Sequence, residues 1–148
     1  MHRRNIIMGT FTTAGALIAA ATRGRANAAD ASKPKAVYHL CDLDKVAFVL
    51  GNIRNHFDGM GGPDKVTIEL VVHGPALKAF HAASANADVT RRFGEFSKAG
   101  LAAQACGNSM KTQNVTLQDL LPGFSIADRG GVVRIAELQA LGYAYLKP

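Results

Sequence analysis

From residue 36 onward, short apolar runs alternate with stretches whose apolar residues recur at helical spacing, and glycine and proline mark most of the joins. Ala36-Val37-Tyr38-His39-Leu40 reads as a strand, and Leu43, Val46, Ala47, Val49, Leu50, Ile53 and Phe57 then follow at the three- and four-residue intervals of a helix. Asp42 or Asp44 is the expected helix cap, and the glycine-rich stretch from Asp58 to Asp64 is the expected stop. Lys65 to Val72 reads as a second, more buried strand. His73-Gly74-Pro75 breaks it, and a helix is expected to start over Ala76 to Ala82. Val89, Phe93 and Phe96 predict a further helix over 89–98, and Leu101 to Ala105 a third strand ending at Cys106-Gly107-Asn108. A helical turn over Ser109 to Gln113 and a short helix over Thr116 to Leu121 lead to a fourth strand at Phe124 to Ile126. Gly130-Gly131 opens the last helix, and Tyr143 to Leu146 is the fifth strand.

Strands that alternate with helices require crossover connections, which pack on the faces of a parallel sheet. The expected fold class is therefore α/β, a three-layer α/β/α sandwich around a mainly parallel sheet of about five strands.

The first residues carry a different pattern. Arg3-Arg4 precede an uncharged, largely apolar run from Ile6 to Thr22, and Ala26-Asn27-Ala28 has the small-x-small form of a cleavage site. Residues 1–28 are expected to be an export signal. The arginine pair resembles a twin-arginine signal, although His2 and Ile6 stand where that motif has serine and phenylalanine, so the general secretory route stays open. Residues 29–34 form a small, polar lead-in, leaving 35–148 as one domain in a periplasmic or otherwise exported protein, with no membrane contact after cleavage. Splitting the chain there also changes the meaning of its net charge of +6. Four of the 17 basic residues and none of the 11 acidic ones lie in 1–28, so the remainder carries 13 against 11, or +2. Its charges are scattered, with only Arg91-Arg92 adjacent, which argues against nucleic acid as a partner.

In an open parallel sheet, ligands gather outside the carboxyl ends of the strands. The expected strand ends place His39 and Cys41, then His73, then Cys106 with Asn108 and Ser109, at or near that edge. Cys106 directly follows a strand and precedes Gly107 and a helical turn, where backbone N–H groups favour thiolate over thiol. Gly107 is expected to let the chain turn sharply and to leave room for a group on the sulfur. The alternative is that Cys106 is a small buried apolar residue. Two cysteines in an exported chain also suggest a disulfide, but strand ends need not lie close enough for one. His39, His73 and either cysteine could supply three metal ligands if their loops converged. No C-x-x-C or H-x-x-x-H pair supports this, so no metal is expected. His56 and His81 are expected to be surface or capping residues, and Gly59 to Gly62 a turn rather than a phosphate loop.

Val37 to Leu40, Ala47 to His56, Gly62 to Leu77, Ala105 to Met110 and Gly131 to Tyr145 together resemble the DsrE/DsrF-like family, and in particular its exported single-domain members. The resemblance implies a parallel sheet flanked by helices and a homo-oligomer. It also implies a cysteine, at the motif position of Cys106, that carries sulfane sulfur as a persulfide between partner proteins. Cys41 departs from that pattern, which more often has Asn or Asp after the first strand, so its role is open between a resolving thiol and a substitute for a polar residue.

Two readings follow. In the first, the protein is a sulfur-relay or sulfurtransferase-like protein. Cys106 is its nucleophile, His73, Asn108, Cys41 and His39 are auxiliary, and a sulfur donor or acceptor protein or a small thiol is the partner. No separate cofactor is needed beyond the persulfide. In the second, it is a non-catalytic oligomeric binding or assembly module that uses the same sheet edge.

Overall fold

A computed structural model describes residues 32–148, and the expected signal at 1–28 lies outside the described residues. Five strands form: β1 (Lys35–Leu40), β2 (Thr67–Val72), β3 (Ala102–Cys106), β4 (Phe124–Ala127) and β5 (Ala144–Leu146). The helices between them are α1 (Val46–Met60), α2 (Ala87–Lys98), α3 (Gly107–Gln113) and α4 (Gly131–Ala140). The sheet order is β4-β3-β2-β1-β5 and every pairing is parallel. β2 lies in the middle with five successive buried residues, the continuous apolar run of a strand covered on both faces.

The chain steps outward from β1 to β4 in one direction and then returns past all of them to β5. Right-handed crossovers running in opposite directions place their helices on opposite faces. The side chains agree with this. α1 and α2 bury Val49, Leu50, Ile53, Phe93 and Phe96 against Tyr38, Leu40, Ile68, Leu70 and Val72, whereas α4 packs Ile135 and Leu138 on Val37 and Val71. The α1/α2 face is the thick one. There Phe93 stacks on Phe124 at 4.7 Å, and both meet Phe80 edge-on at 5.3 Å, pairings that add about 0.5–1.5 kcal/mol each beyond the area they bury.

The α4 face is thinner and more polar. One ion pair ties its helix down: Arg134 Nη2 donates to both carboxylate oxygens of Glu69 at 3.0 Å, and Glu69 is buried at 7% exposure in the middle of β2.

Three local expectations change. Neither Asp42 nor Asp44 caps α1. A 3-10 turn over Leu43–Lys45 comes first, and Lys45 stands at the N-cap without a side-chain bond. The helix expected from Ala76 is a 3-10 helix over Gly74–Phe80, because the chain is drawn out straight beyond it: His81 bridges Leu120, and Leu121 N–H donates to Phe80 C=O at 2.8 Å. The short helix expected over 116–121 shrinks to a 3-10 turn, Leu117–Asp119, as the same bridge takes up Leu120.

Candidate functional site at the carboxyl edge of the sheet

Side chains alternate across a strand, so His39 and Cys41 of the first strand and its exit face the same way. The β1–β2 register pairs Leu40 with Val72, and the β2–β3 register pairs Val72 with Ala105. One step further along, Cys41, His73 and Cys106 form a row across three neighbouring strand ends. All three lie on the α4 face, opposite Leu40, Val72 and Ala105, whose side chains enter the thick core or its edge. Four of the five candidate residues are thus collected on one face by register alone.

The row also accounts for the cysteines. Two strand spacings separate Cys41 from Cys106, roughly 10 Å, beyond the ~4.4–6.8 Å a disulfide spans. Both thiols are free.

Cys106 sits at the corner between β3 and α3. Burial pushes its thiol up, but the N–H groups of Ser109 and Gly131, the Ser109 hydroxyl and the Asn108 N–H face the sulfur, and their combined pull holds it below the ordinary cysteine value. Two helix starts therefore meet one sulfur: Asn108 and Ser109 belong to the first turn of α3, and Gly131 is the first residue of α4. Ser109 is held in place from behind, since its Oγ accepts from Gly74 N–H at 2.8 Å and keeps its own proton for the sulfur. Cys106 itself is only 6% exposed.

Glycine is needed at two points in this corner. A Cβ on Gly131 would stand 3.3 Å from Val71 Cγ1 and 3.4 Å from the Cβ atoms of both Cys106 and His73, so the absence of a side chain there lets α4 come this close to the sulfur. Gly107 is required for space and not for a sharp turn: its φ is not positive, and a Cβ would meet the Ala127 carbonyl oxygen at 3.2 Å.

His73 shares the Gly131 contact with Cys106, but its ring is turned toward β1. It stacks on His39 with centroids 4.7 Å apart, and the two Nε2 atoms are hydrogen-bonded to each other. His39 Nδ1 in turn bonds the Tyr145 hydroxyl at 2.7 Å. Burial lowers both histidines below the ordinary imidazole value; the facing His73 lowers His39 further, and Lys147 lowers both. Cys41 differs from Cys106: burial and the neighbouring Asp42 carboxylate, 3.4 Å from its Sγ, push its thiol up. The ligand atoms of His39, Cys41 and His73 all lie within 4.8 Å of one another.

Asn108 is exposed, and it contributes its backbone to Cys106 while its side chain reaches Gly130. Beside it runs a groove of about 740 Å³ lined by Gly74, Lys78, His81, Asn108, Ser109 and Gln113, among others. His56 and His81 stay outside the row, bonded to the Tyr38 hydroxyl at 3.0 Å and to Gln113 at 2.8 Å. Gly131 and Tyr145 join the site through tertiary contacts with Cys106 and His39. The Gly130-Gly131 pair was visible as the start of a helix, but its contact with Cys106 is tertiary.

The geometry can be compared with known proteins. Among solved structures, the chain is similar to the protein of unknown function MTH1491 from Methanobacterium thermoautotrophicum, with 25% identity, a TM-score of 0.68, and coverage of 78% of this chain and 99% of that one. It is also similar to protein BT1422 of Bacteroides thetaiotaomicron, again of unknown function, at 17% identity, TM-score 0.58, 82% and 100% coverage. The ychN protein of E. coli has the same fold at 9% identity, TM-score 0.54, 77% and 99% coverage. None of the curated proteins compared with the chain matches it. The DsrE/DsrF-like family model matches residues 16–148, which include the whole described part, and the all-parallel five-stranded sheet agrees with it. The chain belongs to the DsrE/DsrF-like family.

Proposed function

We propose that this protein is a sulfur-relay, sulfurtransferase-like protein in which Cys106 carries sulfane sulfur. The observation that carries the reading is the ring of donors around Cys106: the N–H groups of Ser109, Gly131 and Asn108, with the Ser109 hydroxyl. The Cys106 thiolate attacks the outer sulfur of a donor R–S–S⁻. The donor S–S bond breaks, its electron pair leaves on the inner sulfur as R–S⁻, and Cys106 holds the transferred atom as a persulfide. An acceptor thiolate then attacks that outer sulfur, and Cys106 departs as thiolate. No net oxidation occurs within the protein, since one sulfur atom passes from thiolate to thiolate. The donors that raise the thiolate fraction before attack also make Cys106 a better leaving group in delivery, because a thiol of lower pKa leaves faster.

The partner is a protein or small thiol reaching the edge beside Lys78 and Asn108, where the 740 Å³ groove lies. A homo-oligomer and export through residues 1–28 complete the proposal. N-terminal sequencing of the exported chain should begin at Ala29, and retention of residues 1–28 on the exported chain would overturn the signal assignment.

One observation favours the binding-module reading, namely the 6% exposure of Cys106. Cyanide-labile sulfur separates the two. Protein treated with polysulfide and freed of excess should release one equivalent of thiocyanate with cyanide, and folded Cys106→Ser should release none. Equal release from both would exclude Cys106 as the carrier.

A further inference from the structure

The ring of hydrogen bonds around Cys106 does not include the neighbouring group at the exit of β1. We propose that His39, Cys41 and His73 form a binding site for a borderline-soft transition metal ion of the zinc(II) class, separate from the Cys106 sulfur and independent of the relay reading.

Convergence is the first argument. The three ligand atoms lie within 4.8 Å of one another, although His73 is more than 30 residues from the other two along the chain. The β1–β2 register produces this, bringing His39 and Cys41, two positions apart on one face of β1 and its exit, up to the residue that follows Val72. Two nitrogens and one sulfur form a donor set suited to zinc and unsuited to magnesium or calcium, which take oxygen.

The second argument is the arrangement behind the ligands. His39 Nδ1 lies 2.7 Å from the Tyr145 hydroxyl, and a ligating imidazole characteristically gives its remote N–H to an oxygen in this way, which presents the Nε2 lone pair forward. The Nε2 atom so presented faces Nε2 of His73. Two imidazole nitrogens facing each other are both lone-pair donors in their ligating form, and a cation reached by them and by Cys41 Sγ accepts from all three ligands.

The third argument is access and charge. All three residues are half-buried, which leaves a coordination position open toward solvent, as in three-ligand zinc sites. Asp42, 3.4 Å from Cys41 Sγ, adds negative charge beside the site, and Lys147 opposes it. Binding M²⁺ displaces the Cys41 thiol proton to solvent and converts the sulfur to a thiolate ligand, with no change in oxidation state. A metal-held Cys41 is then not free to act as a resolving thiol for Cys106.

The test is titration of the full, chelator-stripped chain with Co²⁺ and then with Zn²⁺, with circular dichroism to verify the fold of each variant. Wild type and Cys106→Ser should both bind one equivalent of Co²⁺ and develop a thiolate-to-cobalt charge-transfer band that Zn²⁺ abolishes. Cys41→Ser should lack the band, and His39→Gln and His73→Gln should each weaken binding at least tenfold. Tyr145→Phe, which keeps every ligand, should weaken it by about 10- to 100-fold. Absence of the band in wild type under excess Co²⁺, its persistence in Cys41→Ser, or its loss in Cys106→Ser would overturn the proposal. The Cys106→Ser arm keeps this result distinct from any failure of the sulfur relay.

Discussion

Gly131→Ala adds one methyl group at the point where α4 meets Cys106. The new carbon would lie 3.3 Å from Val71 Cγ1, tighter than ordinary van der Waals contact, and 3.4 Å from the Cβ atoms of Cys106 and His73. These neighbours belong to β2, β3 and their exits, so the helix start must yield by a few tenths of an ångström. Overpacking of this kind costs about 1–3 kcal/mol. Alanine in place of glycine reduces unfolded-chain entropy and returns ~0.4–1 kcal/mol. The net expectation is a loss of stability of about 0–2.6 kcal/mol by urea unfolding, from these two opposing effects. Thiol reactivity should change more clearly. A hydrogen bond to a charged group contributes about 1.5–3 kcal/mol, so weakening the one from the Gly131 N–H raises the Cys106 thiol back toward its ordinary value and lowers the thiolate population at a given pH. The assay is the pH dependence of iodoacetamide alkylation, with Cys41→Ser in both proteins so that one thiol reports. The Gly131→Ala profile should move to higher pH. Superimposed profiles, whatever the change in stability, would show that α4 does not stabilise the thiolate.

Ser109→Ala should also move the alkylation profile to higher pH and, by leaving Gly74 N–H without its acceptor, destabilise the fold by about 1–3 kcal/mol in chemical denaturation. An unchanged profile would remove the hydroxyl from the Cys106 environment. Glu69→Ala removes the close partner of Arg134 under α4 and leaves it only the longer pairing with Glu137 at 3.7 Å. The cost should fall near the lower end of the ~3–5 kcal/mol seen for broken buried pairs, because the Arg134 side chain is 25% exposed, and a loss under about 1 kcal/mol would show that the pair does not anchor the helix. The depressed Cys106 value also links stability to pH. The folded thiol ionises below the unfolded one, so its contribution is full above the ordinary value of 9.0 and is lost as pH falls through the folded value. In a Cys41→Ser background, the stability advantage of Cys106 over Cys106→Ser should therefore grow as pH rises toward 9.0, and a flat difference would contradict the shift.

The strands were legible because burial imposes short apolar runs, and Thr67–Val72 shows why: a central parallel strand has no polar face to confuse its period. The carboxyl edge was legible for the same reason, since a strand end points to it once the sheet is parallel. Two features were not. The Gly131 contact with Cys106 joins residues 25 positions apart along the sequence and depends on the return crossover of α4, which no local pattern reports. The three strand-end ligands could be named from the sequence, but the meeting of His39, Cys41 and His73 is set by inter-strand register, so the lack of a closely spaced ligand pair argued wrongly against their convergence. The change from α to 3-10 helix after Gly74 likewise follows from a bridge to Leu120, some 40 residues further on.

The central claim is that Cys106 is the carrier thiol. Intact mass of the folded protein after brief exposure to polysulfide, for wild type, Cys41→Ser and Cys106→Ser, tests it most directly. The account predicts one added sulfur atom on wild type and on Cys41→Ser, with none on Cys106→Ser. No adduct on folded, reduced wild type, or an adduct that survives in Cys106→Ser, would contradict it.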